Sequence, residues 1–390
     1  MPRRASAFVN SVGVNVHMSY FNTAYNKWQE VRDKLLELGV HHVRDGACVG
    51  CKEQRRRLLA LGAAGIKVDY IMREPGSPDS LPSLVDLLAG PMRSTVDSIE
   101  GPNEYDHSAD KQWAPRLRTY QRVLYTLVRA NPALHGVPVL APSLVSWQDY
   151  FKLGNIARWA DLGNIHPYAG GQVPTANLPS NEQSEHVVAP HRRIAVTEAG
   201  YHNALATKGG HPPVSESADA AYVPRLFLDF FRAGIARTYL YELVDEWPDG
   251  TDSKQESHFG LLRNNFGEKP AFRTLRALMT SVRPVSATRF RLRRLGYRLA
   301  GGPSDLRQLL LQTGPRRYAL VLWRNTTVWQ INTRRALTVR GASVRLSLGG
   351  HAHVVTTRNL RRSRATRARA ATKTVAVRLT GTPVVVTIAG

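Results

Sequence analysis

Ile99-Glu100-Gly101-Pro102-Asn103-Glu104-Tyr105 and Ile194-Ala195-Val196-Thr197-Glu198-Ala199-Gly200-Tyr201 decide how this 390-residue chain is read. In each, a short apolar, β-branched run gives way to loop-forming residues, and a glutamate, Glu104 or Glu198, stands where strand becomes loop. In a (β/α)8 barrel such strand ends converge on one face, where the side chains that do chemistry gather. Two strand-like runs, 138–143 and 161–168, lie between the glutamates, so Glu104 follows a fourth strand and Glu198 a seventh. Three more runs come earlier, 11–16, 40–44 and 66–72, and one comes later, 237–244. Helical patterns such as residues 28–38 separate them. Eight strand-like runs alternating with helices argue for an α/β fold with a closed parallel (β/α)8 barrel rather than a sandwich.

Asn103-Glu104 after strand four, Thr197-Glu198 after strand seven, and the tail His258-Phe259-Gly260-Leu261-Leu262 followed by Lys269-Pro270-Ala271-Phe272 together carry a resemblance over roughly residues 11–282. The chain resembles the clan A retaining glycoside hydrolases, nearest to families 39 and 5. It departs from them at Tyr105, where proline usually follows Asn-Glu, and at Tyr241-Glu242, which replaces the usual tryptophan. The resemblance implies a retaining hydrolase of β-linked glycosides, with Glu104 as acid/base and Glu198 as nucleophile. The chemistry needs two carboxyl groups: one donates a proton to the leaving oxygen while the other, ionised, attacks the anomeric carbon. On charge alone either glutamate could be the acid.

The resemblance also assigns Asn103 to the sugar 2-hydroxyl, Arg44 to holding the nucleophile ionised, and His166 or Tyr168 to a hydrogen bond with it. A guanidinium suits the Arg44 role because it stays charged when buried. His17, Tyr201, His202, Tyr241 and Glu242 stand at strand tops and are expected to line sugar subsites. Trp147 and Trp247, in loops after strands five and eight, are expected stacking platforms, since sugar faces carry apolar C–H groups that pack on aromatic rings. A barrel that only binds a glycan or anionic polymer, with catalysis lost, is the competing expectation.

The chain is longer than the ~250 residues of a bare barrel. The break falls after residue 282: upstream, Phe272, Leu275, Leu278, Met279 and Val282 recur at the spacing of a last amphipathic helix. Downstream come short strand-like runs, 309–311, 318–323, 336–339, 344–348 and 384–388, with a turn at Gly314-Pro315. They read as an accessory β-sandwich spanning 283–390, behind a catalytic barrel spanning 1–282. Charge divides at the same point. Residues 283–390 hold 22 of the 53 Lys and Arg residues and one of the 30 acids, Asp305, a net of +21, which leaves +2 for residues 1–282. Such a field suits an anionic polysaccharide or cell-surface partner. The densest run, 361–369, has no interleaved aromatic residue, which speaks against nucleic acid.

Cys48 and Cys51 are the only cysteines. They are too few for a four-thiolate zinc site and lack a histidine at finger spacing, so a loop-locking disulfide is expected, and no metal or organic cofactor. Residues 1–11 carry two arginines without an apolar stretch of signal-peptide length, and no run approaches the ~18 apolar residues of a membrane span. An extracellular location is expected, with the cytoplasm as the alternative.

Overall fold

The computed structural model describes residues 1–285, 290–349, 353–362 and 369–390. Eight parallel strands close into a barrel in sequence order: Val12–Asn15, His42–Gly46, Lys67–Ile71, Val96–Glu100, Val139–Leu140, Leu162–Ile165, Arg193–Ala199 and Thr238–Leu240. Each overlaps a run expected to be a strand or the segment leading to Glu104. The fifth is only two residues long because Pro138 and Pro142 flank it, and proline cannot donate to a ladder. The eighth also stops early. After Leu240 the chain leaves the ladder, and only an isolated bridge, Val244 to Leu262, follows.

The helices form as their sequences dictate. Trp28–Leu38 buries Val31, Leu35 and Leu38 on one stripe and ends at Gly39, which takes the left-handed conformation (φ 78°) that glycine adopts without strain. Glu216–Ala233 is buried almost throughout, because it has barrel on one side and the second domain on the other. The last barrel helix is Pro270–Val282.

The second domain is a two-layer β-structure. One sheet has six strands in the order Arg3–Arg4, Leu306–Gly314, Arg317–Arg324, Val384–Ala389, His353–Asn359 and Arg369–Thr372. The other has three, Tyr297–Gly301, Ala342–Leu348 and Thr374–Leu379. Alternation sets the layers. Val344, Leu346, Val375, Val377 and Leu379 of the three-stranded sheet bury against Leu320, Leu322, Val386 and Ile388 of the other. On its opposite face the six-stranded sheet buries Leu311, Val321, Trp323 and Val385 in the same core as the barrel.

Polar anchors fix the two domains together. Asp229 accepts from Arg307 (2.6 Å) and from the indole of Trp323 (3.1 Å), and the buried Arg225 donates to the carbonyls of Thr326 and Gly381. Two features differ from the sequence reading. The six-stranded sheet takes its edge strand from Arg3–Arg4, paired parallel to Leu311 and Gln312, although residues 1–282 were read as barrel. The run at 336–339 shrinks to a two-residue strand, Arg335–Ala336, paired with Trp329–Gln330. Part of the dense basic run, 363–368, lies outside the described residues.

Candidate active site

At the carboxyl ends of the strands opens a cleft of about 1020 Å³, and both glutamates line it. Its floor is a buried ion network centred on Arg44, which projects from the second strand. Nε of Arg44 donates to Glu100 Oε1 (2.8 Å), Nη1 to Glu198 Oε1 (2.6 Å) and Asn15 Oδ1 (3.1 Å), and Nη2 to Asn103 Oδ1 (2.6 Å). A second contact of Nη2 with Glu100 makes that pair bidentate. Every donor of the guanidinium is matched to an oxygen, as burial of a charge requires.

Glu198 is held from both sides. Arg44 takes Oε1, and the hydroxyl of Tyr168 donates to Oε2 (2.8 Å). Burial alone would raise its pKa. The charges of His166 and Arg44 and the hydrogen bonds from Tyr168 and Arg44 reverse that, to about 2. Gly200 follows closely in the chain because a side chain there would collide with the carbonyl of Tyr241, and Tyr241 forms part of the cleft wall.

Glu104 sits in a left-handed conformation (φ 47°), its amide bonded to Ser143 Oγ (3.2 Å). Its side chain is 31% exposed against 12% for Glu198. Its Oε1 lies 2.6 Å from His166 Nδ1. On the other edge of that ring, Nε2 lies 2.9 Å from Thr197 Oγ1, whose hydroxyl already donates to Asn164 Oδ1 (2.7 Å). Thr197 can therefore only accept from the ring, so Nε2 carries a proton. It follows that Nδ1 and Glu104 share a single proton: either a neutral histidine accepts from a protonated glutamate, or an imidazolium donates to a carboxylate. Burial would lower the His166 pKa, but the charge of Glu198 and the bond and charge of Glu104 outweigh it, and the pKa is raised. One oxygen of Glu104, one of Glu198 and a nitrogen of His166 all lie within 4.8 Å of one another.

Arg44, Asn103, His166, Tyr168, His17 and Tyr241 line the cleft with the two glutamates, as the sequence led us to expect. Five other expected subsite residues stand elsewhere. Tyr201 is buried, stacked on Tyr222 (5.2 Å) with its hydroxyl on the carbonyl of Gln172. His202 packs behind the wall, 2.6 Å from the carbonyl of His211. Glu242 is fully buried and accepts from Tyr25 (2.8 Å), and His17 (3.3 Å from it) stands at the cleft. Trp247 is on the surface, away from the lining. Trp147 also lies off the lining; it is 63% exposed and edge-on to Phe151, itself 61% exposed. The loop leading to it borders the cleft at Leu144 and Val145, and Asp106 tethers that loop to the Glu104 turn by accepting from the amides of Val145 and Ser146.

The sequence reading gave no role to Glu100, Asn164 or Thr197; of these, the two-residue period of its strand could have revealed Asn164, which shares a face with His166. It also missed His211, Gln255, Glu256 and Phe259 from the long loops after strands seven and eight, where no regular spacing marks a residue as lining. A second cluster, His17 with Glu242 and Glu246, also brings three ligand-type atoms within 4.8 Å. Cys48 and Cys51 form the expected disulfide, with Cα atoms 5.4 Å apart, just before the helix Lys52–Ala63.

No family model and no curated protein sequence matches the chain. Solved structures do. A GH39 enzyme from Xanthomonas axonopodis pv. citri aligns over 100% of this chain and 95% of its own, with a TM-score of 0.61 at 13% identity. A monomeric β-xylosidase from Caulobacter crescentus CB15 aligns over 97% and 96%, TM-score 0.61, at 14% identity. A family 17 β-1,3-glucanosyltransferase from Rhizomucor miehei aligns over 68% of this chain and 97% of its own, TM-score 0.52, at 18% identity. At these identities the likeness is one of fold. It bears out the architecture expected from the motifs: a family 39-like barrel with a C-terminal β-structure.

Proposed function

We propose that this protein is a retaining glycoside hydrolase acting on a β-linked substrate, with Glu198 as nucleophile and Glu104 as acid/base. The observation that carries the reading is the unequal treatment of two carboxyl groups brought within 4.8 Å at their nearest oxygens. Glu198 is clamped in its ionised form by Arg44 and Tyr168, whereas Glu104 meets a histidine with which it shares one proton. That separation favours direct attack, because retaining enzymes hold the carboxyls about 5–5.5 Å apart and inverting ones about 6.5–9.5 Å, with room for a water.

In the first step a Glu198 oxygen forms a bond to the anomeric carbon as the glycosidic C–O bond breaks. The leaving oxygen takes the proton that Glu104 shares with His166, which leaves Glu104 a carboxylate and His166 neutral. In the second step Glu104 takes a proton from water, whose oxygen displaces Glu198 from the sugar. Arg44 keeps Glu198 a good leaving group by stabilising its charge. The arm of the network through Asn103 leaves that residue's amide nitrogen for the sugar hydroxyl beside the nucleophile. The Cys48–Cys51 bridge supports the expected export.

Substitution separates the roles. Glu198→Gln should abolish turnover of every β-glycoside, while Glu104→Ala should keep activity on aryl glycosides whose leaving group needs no proton, with azide rescuing it as a β-glycosyl azide. Proton NMR of the first product should show retained configuration; net inversion would exclude the covalent route.

A further inference from the structure

The three-stranded sheet has one face packed inward and the other in water, and the solvent face has a regular composition. Register places Arg298 opposite Ser347, and Ser347 opposite Thr374. Two residues along, Ala300 is opposite Arg345, and Arg345 opposite Ala376. Two further along, Ser343 is opposite Arg378. Each row thus holds one arginine among small residues, and the arginine moves over by one strand from row to row. All of these positions except the half-buried Ser347 are exposed. The result is a diagonal of three guanidinium groups rooted about 7–8 Å apart, the usual spacing of diagonal neighbours across strands.

No described residue neutralises this diagonal. Among the described residues, Arg298, Arg345 and Arg378 have no ion pair. The one acid after residue 282, Asp305, is engaged by Arg324 (2.9 Å). The arrangement avoids placing like charges directly opposite one another, which would destabilise the sheet, yet keeps them within a Debye length of about 8 Å at 0.15 M salt. It also has a fixed place in the molecule. Barrel, six-stranded sheet and three-stranded sheet follow one another as layers, so the face points away from the barrel and a polymer lying on it leaves the cleft open.

We propose that this face is a docking surface for an anionic polysaccharide, one bearing carboxylate or sulfate groups along an extended chain. Charge complementarity carries the assignment of a polyanion. Flat rows of Ser, Thr and Ala between the arginines offer hydroxyls to a sugar chain and no aromatic ring on which a base could stack. The choice of polysaccharide among polyanions rests on the glycosidase reading of the cleft; the charge diagonal does not.

The test is retention of the full-length protein on immobilised polygalacturonate, with dextran as the neutral control, which needs no turnover. Retention should be strong at about 0.01 M salt and weak at about 0.15 M, as the Debye length falls from about 30 to about 8 Å. The triple variant Arg298→Gln, Arg345→Gln, Arg378→Gln should bind roughly tenfold more weakly, through loss of three exposed charge contacts. Lys111→Gln, Arg122→Gln, Lys208→Gln removes the same net charge from exposed barrel positions and should leave binding within about twofold. Equal losses from the two triples would overturn the proposal, since net charge alone would then account for retention. Tighter binding to duplex DNA or phosphatidylserine vesicles, abolished by the same sheet triple, would overturn the polysaccharide assignment and leave the cleft's chemistry untouched.

Discussion

Arginine is used in opposite ways in the two halves of the molecule. In the barrel, Arg44 and Arg57 are buried, and their donors meet oxygens from several elements: Arg57 reaches Glu53, Asn26 and the carbonyl of Tyr25. On the outer sheet, Arg298, Arg345 and Arg378 are exposed and have no ion pair among the described residues. The difference follows from desolvation. A buried charge is costly unless most of its donors are matched, so its removal strands its partners, whereas an exposed one contributes little to folding and is free for something outside. Position relative to the core, more than residue type, decides whether an arginine organises the protein or meets its surroundings.

The largest expected effect tests the buried side of this contrast. Arg44→Met leaves Glu100 and Glu198 without their shared counter-charge and should cost about 3–5 kcal/mol of stability by urea unfolding, together with nearly all activity. A loss under about 1 kcal/mol would erase the distinction between the two halves. Next is the seam. Asp229→Ala removes the acceptor of Arg307 and Trp323 and should lower stability by about 2–3 kcal/mol. Barrel and sandwich should still melt in one calorimetric transition; two transitions would show that each half stands alone.

Tyr168→Phe probes the clamp on Glu198 more gently. The hydroxyl stabilises the carboxylate, so its loss should raise the Glu198 pKa from about 2 and move the acid limb of kcat/KM upward by about one unit. The sign for stability is the same. A depressed carboxylate stabilises the fold above the unfolded value near 4.3 and loses that contribution as pH falls through about 2, so the variant should unfold at a higher pH. The smallest effect concerns the exposed Trp147 and Phe151 beside the Glu104 turn. Trp147→Ala should raise KM severalfold for oligosaccharides, about 1 kcal/mol, and leave aryl glycosides unaffected. Equal KM values on both would remove the aromatic pair from the binding surface.

Much of the barrel was legible because each strand is an apolar run ending in polar, loop-forming residues. Both glutamates and Arg44 could be placed for the same reason. Sidedness at the strand tops was harder to read: Tyr241 faces the cleft while Glu242, one residue on, is buried behind it, in a segment that has already left the ladder and has no strand period to mark its faces. Glu100 escaped notice because a charged residue at a strand end reads as surface until its buried partner is known. In the sandwich, Thr374–Leu379 alternates apolar residues with Thr, Ala and Arg, and His353–Asn359 has only two valines before a polar stretch, so neither shows the continuous runs that marked the barrel. Nothing in Arg3–Arg4 announces a strand, since its pairing to Leu306–Gly314 uses backbone alone.

That pairing has a consequence for synthesis. A ribosome releases residues 3–4 long before residues 311–312, so the edge of the larger sheet must wait, unpaired, while the whole barrel emerges. Contacts so distant in sequence form late and slow the search for the native topology. The N-terminal segment therefore closes the molecule like a clasp, so that barrel and appendage are finished together.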